Sequence, residues 1–318
     1  HGEDPDGIIS AALLDLYLRN EKQYYFVSYA KQTADFSEAI LRLDGGDIYI
    51  TDLNTNKHLV SDEGGLLRNL IKKSSFLVWI DHHEGTRKCS DYLRSLGARV
   101  IVEDDLCASK LIYREFLAGD GRAQWLSEIA QAHDYGLPSP ELELGEQLQK
   151  IIALHNHTRD YNNLRRLVEA LSRDDSWQEQ GKLSPDLEES VGRYQPLADK
   201  AEQAMRGREE FLEIAGRRIM ITYADSIIYH KDTLRNLKKK YSGGADAYMV
   251  IFGYPACNVL FFRDNSSDFS PLKFCGLMGG GGREGDGGFS LFTGVNERNF
   301  GVAKSFILKR LEEYLLEK

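Results

Sequence analysis

Short apolar runs that end in acids or histidines set the pattern of the first part of this chain. Phe76-Leu77-Val78-Trp79-Ile80 runs into Asp81-His82-His83, and Asp47-Ile48-Tyr49-Ile50-Thr51 runs into Asp52. Runs of this length read as buried parallel strands whose ends fall at the carboxyl edge of an α/β sheet, where ligands are held. Arg99-Val100-Ile101-Val102 predicts a further strand, and the β-branched and aromatic stretch 24–29 predicts another. Helical spacing is seen over 8–18 after the Gly7 turn, over about 62–73, over 108–117, and in a segment ending near His133-Asp134. This βαβ rhythm implies a doubly wound, mostly parallel α/β sheet with helices on both faces.

After Asp134 the strand signals stop for roughly eighty residues. Polar helices follow, including 161–171, and Ser184-Pro185 offers an N-cap with proline at the first helical position. From there Leu187, Val191, Tyr194, Leu197, Ala201 and Met205 repeat at helical spacing, and Pro196 is expected to kink or interrupt that helix. A second, smaller α/β domain is predicted from near Arg217, with strands at 219–223, 247–252 and 258–262 and helices at 233–240 and 301–315. The division expected is a first domain over 1–184, a helical linker over 185–214 and a second domain over 215–318. No internal repeat is evident.

Composition changes this picture only at the margins. The chain has 318 residues, 42% hydrophobic and 28% charged, enough apolar material for two cores. Its net charge of −9 argues against general binding of duplex DNA. That charge does not exclude a nucleotide substrate, because bound metals reverse the local sign of a carboxylate-lined pocket. The run Lys238-Lys239-Lys240 reads as a solvated helix end. Cys89, Cys107, Cys257 and Cys275 form no CxxC pair and suit a reducing compartment. No stretch approaches a membrane span and the start has no signal-peptide character, so a cytoplasmic protein is expected. The chain opens at His1 rather than at methionine, which suggests that further residues precede it.

The acids and histidines that these elements collect are His1, Asp4, Asp6, Asp52, His82, His83 and Asp134. Taken alone, Asp4-Pro5-Asp6-Gly7 is a turn with a helix cap, and Asp52 is a plausible cap too. Two imidazoles beside an acid at a strand end gain little in a core. Three such clusters in one α/β unit point to divalent-metal binding, because that much negative charge in one place is otherwise self-repelling.

These residues resemble the ordered motifs of the DHH phosphoesterases: an early Asp-Pro-Asp-Gly, a strand-end Asp52, the triplet Asp81-His82-His83 and a later Asp134. The segment from Gly279 to Phe289 is similar to the glycine-rich motif of that family's smaller C-terminal domain, of the DHHA1 type. Relatives read Gly-Gly-Gly-His there, and Arg283 stands in the histidine position.

The resemblance implies two divalent ions, manganese first and magnesium next. One would be held by His1, Asp4 and Asp52, the other by Asp6, Asp52, His82 and Asp134, with Asp52 bridging. It implies that His83 faces the phosphate and that Asp81 orients a histidine. Substrate would be gripped in the second domain by Arg263, Gly280, Gly281, Gly282 and Arg283. The activity it implies is manganese-dependent, two-metal hydrolysis of short oligonucleotides or nucleotide 3′,5′-bisphosphates. A RecJ-like single-strand exonuclease and a catalytically inactive nucleotide-binding regulator are the rival readings. No duplex DNA and no membrane partner is expected, and a homodimer is left open.

Overall fold

The chain is described by a computed structural model covering residues 1–18, 20, 22–28, 32–55, 57–60, 65–158, 160–173, 184–224, 227–228, 230–253, 257–264, 267–283, 285–291, 295–296 and 298–317. It divides into two units, His1–Val191 and Gly192–Lys318.

The first unit is organised by β2 (Phe76–Asp81), which lies between β1 (Asp47–Thr51) and β3 (Arg99–Val102) in an all-parallel sheet. Side chains alternate across a strand, so a strand apolar at every position must be covered on both faces. Leu77 and Trp79 enter one core with Ile50 and Val100, against Phe36 and Ile40 of α2 (Gln32–Arg42), Leu67 and Leu70 of α4 (Leu66–Lys73) and Leu93 of α5 (Glu84–Ser95). A short α3 (Lys57–Val60) precedes α4. Val78 and Ile80 enter the other core, with α1 (Pro5–Tyr17), α6 (Ala108–Phe116), α7 (Gly121–Tyr135), α8 (Pro140–Thr158) and α9 (Tyr161–Arg173). Each such side chain, fully buried, contributes about 1.5–3 kcal/mol. The doubly wound arrangement that the hydrophobic pattern predicts is the one observed.

The strand predicted over 24–29 is not formed. Tyr29 lies outside the described residues, and among those described the 22–28 stretch joins no ladder, although Gly2 N–H donates to the Val27 carbonyl at 3.4 Å. Its aromatic side chains pack on helices instead: Tyr24 bonds Asp15 of α1, and Phe26 stacks on Tyr161 of α9 at 6.5 Å. Of the helix predicted from about residue 62, residues 61–64 lie outside the described set, and α4 starts after Gly65, which has a left-handed φ of 70°. α10 (Pro185–Met205) runs through Pro196 without a break.

The second unit carries a six-stranded sheet in the order β4-β5-β6-β7-β9-β8. β5 (Arg217–Ala224) and β6 (Ala247–Phe252) are parallel and joined through α11 (His230–Tyr241). β7 (Cys257–Arg263), β8 (Gly281–Arg283) and β9 (Asp286–Leu291) continue the sheet antiparallel, and α12 (Pro271–Leu277) and α13 (Phe300–Leu316) add to its core. β4 (Glu210–Ile214), absent from the expected elements, forms a hairpin with β5 through Ala215-Gly216, both at positive φ (47° and 76°). That two-residue turn is of the kind that matches strand twist, with alanine in a position that favours glycine. No helix among the described residues is long and apolar enough to cross a membrane. Cys89, Cys107 and Cys275 are free thiols, and the Cys257 side chain lies outside the described residues.

One buried polar cluster ties α1 to α9. Asp15 accepts from Lys22 Nζ (2.6 Å), Tyr24 and Ser172 Oγ (2.6 Å). Burial opposes its charge, but Lys22, Ser172 and Tyr24 outweigh burial and hold the carboxyl below its ordinary range. A lowered folded-state value means that the stabilisation is complete above the unfolded pKa and fades as pH falls through the folded one. Asp15→Asn is expected to cost about 2 kcal/mol at neutral pH. The gap from wild type should narrow below about pH 4. Urea unfolding at the two pH values measures both; a gap independent of pH would contradict the charged role.

Candidate metal centre

Four chain segments deliver side chains to one place in the first unit. β1 delivers Asp52, which follows the strand in a left-handed conformation (φ 50°) while its N–H still bonds the Ile80 carbonyl at 2.9 Å. Aspartate is among the few residues that tolerate this region, and non-glycine outliers concentrate at functional sites. β2 ends on Asp81, fully buried, and His82 and His83 follow before α5 begins at Glu84. The third segment is the start of the chain up to α1, and the fourth is the end of α7, which carries Asp134.

The turn reading of Asp4-Pro5-Asp6-Gly7 and its site reading are both correct. Asp4 caps α1, accepting from Gly7 N–H through Oδ1 (3.1 Å), while its Oδ2 lies 3.4 Å from His1 Nε2. Asp6 is held by a different helix. Its two oxygens accept the first N–H groups of α6, from Ala108 (2.8 Å) and Ser109 (2.9 Å), as an acid at a helix N-terminus should. His1 is fixed through its main chain, which donates to the Thr51 carbonyl at 2.8 Å. α8 steadies the next two residues: Asn156 Nδ2 donates to the Gly2 carbonyl (2.8 Å) and Gln149 Nε2 to the Glu3 carbonyl (2.9 Å).

Asp52 lies at the middle. Its Oδ2 is 3.1 Å from His1 Nε2, and its Oδ1 is 3.4 Å from His82 Nε2 and 3.8 Å from His83 Nδ1. His82 Nε2 is also 4.0 Å from Asp6 Oδ2, and on the other side of the ring Nδ1 is 3.7 Å from Asp134 Oδ2. His83 Nδ1 bonds Asp81 Oδ1 at 2.7 Å, and the two imidazole centroids are 4.3 Å apart.

So many buried carboxylates perturb one another. Burial and then the charge of Asp52 push Asp6 up to about 7, with His82 offsetting only part. Burial disfavours charge on the histidines, yet the Asp52 hydrogen bond with the charges of Asp6 and Asp134 carries His82 up to about 10. His83 is raised in the same way by Asp81 and then Asp52, and His1 by Asp4 and Asp52. Asp52 is held below the ordinary range because His1, His82 and His83 outweigh its burial. A field that raises the proton affinity of three imidazoles also favours a divalent cation in place of those protons.

The donor set fits such a cation. His1, Asp4 and Asp52 each offer a ligand atom within 4.8 Å of the others, and so do Asp52, Asp81, His82 and His83. Asp52 belongs to both groups, and Asp6 and Asp134 flank the second through His82. Mixed carboxylate and imidazole donors suit first-row divalent metals and magnesium.

The eight residues that the sequence singles out in the first unit therefore come together. In the second unit, Arg263 N–H donates to the Gly285 carbonyl at 3.0 Å, beside the β8–β9 pair. The glycine-rich segment is a packed hairpin, not a linker. A Cβ at Gly280 would lie 2.0 Å from the Gly288 carbonyl oxygen, so the backbone approach there requires glycine. The side chain of Arg283 lies outside the described residues, as does Glu284. Sequence reasoning missed Tyr135, whose hydroxyl reaches His82 Nδ1 at 3.5 Å, and missed Gln149 and Asn156. Adjacency to Asp134 was the only available signal for Tyr135; the other two act on main-chain carbonyls far off in sequence.

No family model matches the chain, and no curated protein matches it in sequence. Among solved structures it resembles the pGpG-specific phosphodiesterase PggH from Vibrio cholerae, at 14% identity and a TM-score of 0.51, over 97% of this chain and 96% of that one. An exopolyphosphatase-related protein from Bacteroides fragilis (12% identity, TM-score 0.42, 99% and 91% covered) and an uncharacterized protein from Helicobacter pylori G27 (16%, 0.40, 96% and 97%) superpose too loosely to bear on function. The likeness to PggH is one of fold, and it extends over nearly the whole of both chains.

Gly7 tests the packing of the chain start. A Cβ there would lie 2.2 Å from the His1 carbonyl oxygen. Gly7→Ala is expected to cost about 1–3 kcal/mol, read by thermal melting, and to shift the His1 imidazole resonances while leaving those of His83 in place. Unmoved His1 signals would contradict the packing described.

Proposed function

We propose that this chain is a manganese-dependent phosphodiesterase that hydrolyses short oligonucleotides or nucleotide 3′,5′-bisphosphates by a two-metal mechanism. The observation that carries the reading is the position of Asp52 between two donor groups. One ion would be held by His1, Asp4 and Asp52, the other by Asp6, Asp52, His82 and Asp134. The pair would supply charge neutralisation for a phosphoryl group and an activated water. Likeness of fold to a protein that acts on pGpG, a linear dinucleotide, favours a small nucleotide substrate over a long strand.

The chain's own groups have separate tasks. Asp81, fully buried, accepts from His83 Nδ1, keeps the imidazole oriented and raises its affinity for a proton. That leaves His83 Nε2 to stabilise charge on the phosphate or hand a proton to the leaving oxygen. His83 suits this, being the more exposed of the two imidazoles, 32% against 11% for His82. In the second unit Arg263 and the Gly280–Gly282 backbone would hold the nucleotide. Arg283, a bidentate phosphate donor by its chemistry, would replace the histidine of the relatives.

Manganese-dependent hydrolysis across RNA and DNA from dinucleotides to about thirty nucleotides, longer than a single-strand binding site, with 3′,5′-bisphosphate and pyrophosphate as controls, tests the substrate class. Cleavage concentrated on two to about five residues, or on the bisphosphate, is expected. Processive degradation of the longest strands would make it an exonuclease, and no cleavage with metal bound would make it a binding protein. His83→Gln should retain both metals and lower turnover by about 10²–10⁴-fold; loss of a metal would mean that His83 is a ligand instead.

A further inference from the structure

Tyr135 closes α7 immediately after Asp134, and its hydroxyl stands between two partners. It donates to the main-chain carbonyl of Asp104 at 2.7 Å, and its oxygen lies 3.5 Å from His82 Nδ1. A phenol has one proton, and here the carbonyl takes it. What the oxygen offers His82 is therefore a lone pair, so the hydrogen in that contact sits on Nδ1. Asp134 Oδ2 lies 3.7 Å from the same nitrogen, beyond hydrogen-bond distance, and leaves the Tyr135 oxygen as the acceptor there. Across the ring, Nε2 faces Asp52 Oδ1 (3.4 Å) and Asp6 Oδ2 (4.0 Å).

A histidine that binds a metal through one nitrogen needs its other N–H held by an acceptor, which fixes both the tautomer and the ring plane. We infer that Tyr135 is a positioning residue of the metal centre, holding His82 with hydrogen on Nδ1 and with Nε2 turned toward Asp52 and Asp6. The inference rests on the metal-centre reading and names a residue outside its ligand set.

The partner of Tyr135 is itself fixed, so the hydroxyl is not free to swing. Gln131, one turn earlier on α7, donates to the Asp105 carbonyl (3.1 Å) and accepts from Cys107 N–H (2.9 Å). The loop bracketed in this way leads straight into α6, whose first N–H groups hold Asp6. One helix face thus supplies Asp134, orients His82 and steadies the support of Asp6.

Tyr135→Phe removes the oxygen and keeps the ring. Two readouts are needed, since a hydroxyl that only clamped the loop at Asp104 would reach the metal through Asp6 but would leave the His82 ring-nitrogen shifts unmoved. The first is the pair of His82 ring-nitrogen shifts in long-range ¹H–¹⁵N spectra of the full chain, metal-free and loaded with Mg²⁺. Wild type is expected to show Nδ1 protonated in the loaded state, and the variant a shifted Nδ1 resonance in both states. The second is titration with Mn²⁺: one equivalent should weaken by about 10–100-fold, while the other, on His1, Asp4 and Asp52, is unchanged. Two equivalents in wild type with identical shifts and affinities in the variant would overturn the inference alone. A wild-type chain that takes up neither ion would overturn the metal reading, and this inference with it.

Discussion

The constraint on which the rest of the first unit depends is electrostatic: Asp4, Asp6, Asp52, Asp81 and Asp134 converge with three imidazoles in a largely buried space. Carboxylates taken out of water repel one another, and a fold that gathers them needs a compensating positive charge. Protons do part of this work, as the raised His82 and Asp6 show. Helix N-termini do another part, α1 at Asp4 and α6 at Asp6. A divalent ion is the compensation to which this donor set is suited.

The scaffold makes the convergence rigid. β2 is sealed on both faces by alternating side chains, so the position of its carboxyl end is set by two cores at once. Asp52 gains its central place because β1 pairs with β2 up to Thr51 and its own N–H adds one more bond, to Ile80, before the chain turns in a left-handed conformation. Trp79 reinforces that turn from within the core, donating Nε1–H to the Leu53 carbonyl at 3.0 Å. Packing and chemistry are thus joined at the ends of two adjacent strands.

Much of this was legible in the sequence, for identifiable reasons. β2 announces itself because every position is apolar until Asp81, and Arg99–Val102 was bounded correctly by its β-branched run. The ligand candidates were legible because strand ends deliver side chains to a common edge. What was not legible depends on partners. Residues 24–28 have strand propensity but join no ladder, and their aromatic rings pack on α1 and α9. β4 alternates weakly, with Glu210, Phe211 and Glu213 all exposed, and its hairpin turn uses an alanine at positive φ that no turn signature flags. Tyr135, Gln149 and Asn156 act on main-chain carbonyls brought near only by the tertiary fold.

Shared ligation by Asp52 is the claim on which the chemistry depends, and counting metals tests it most directly. Mn²⁺ binding to wild type and to Asp52→Asn, followed by calorimetry and by the paramagnetic resonance of coupled ions, should give two interacting equivalents in wild type and loss of both in the variant. Two uncoupled equivalents that persist in Asp52→Asn would contradict it, and would reduce Asp52 to a buried acid that caps a strand.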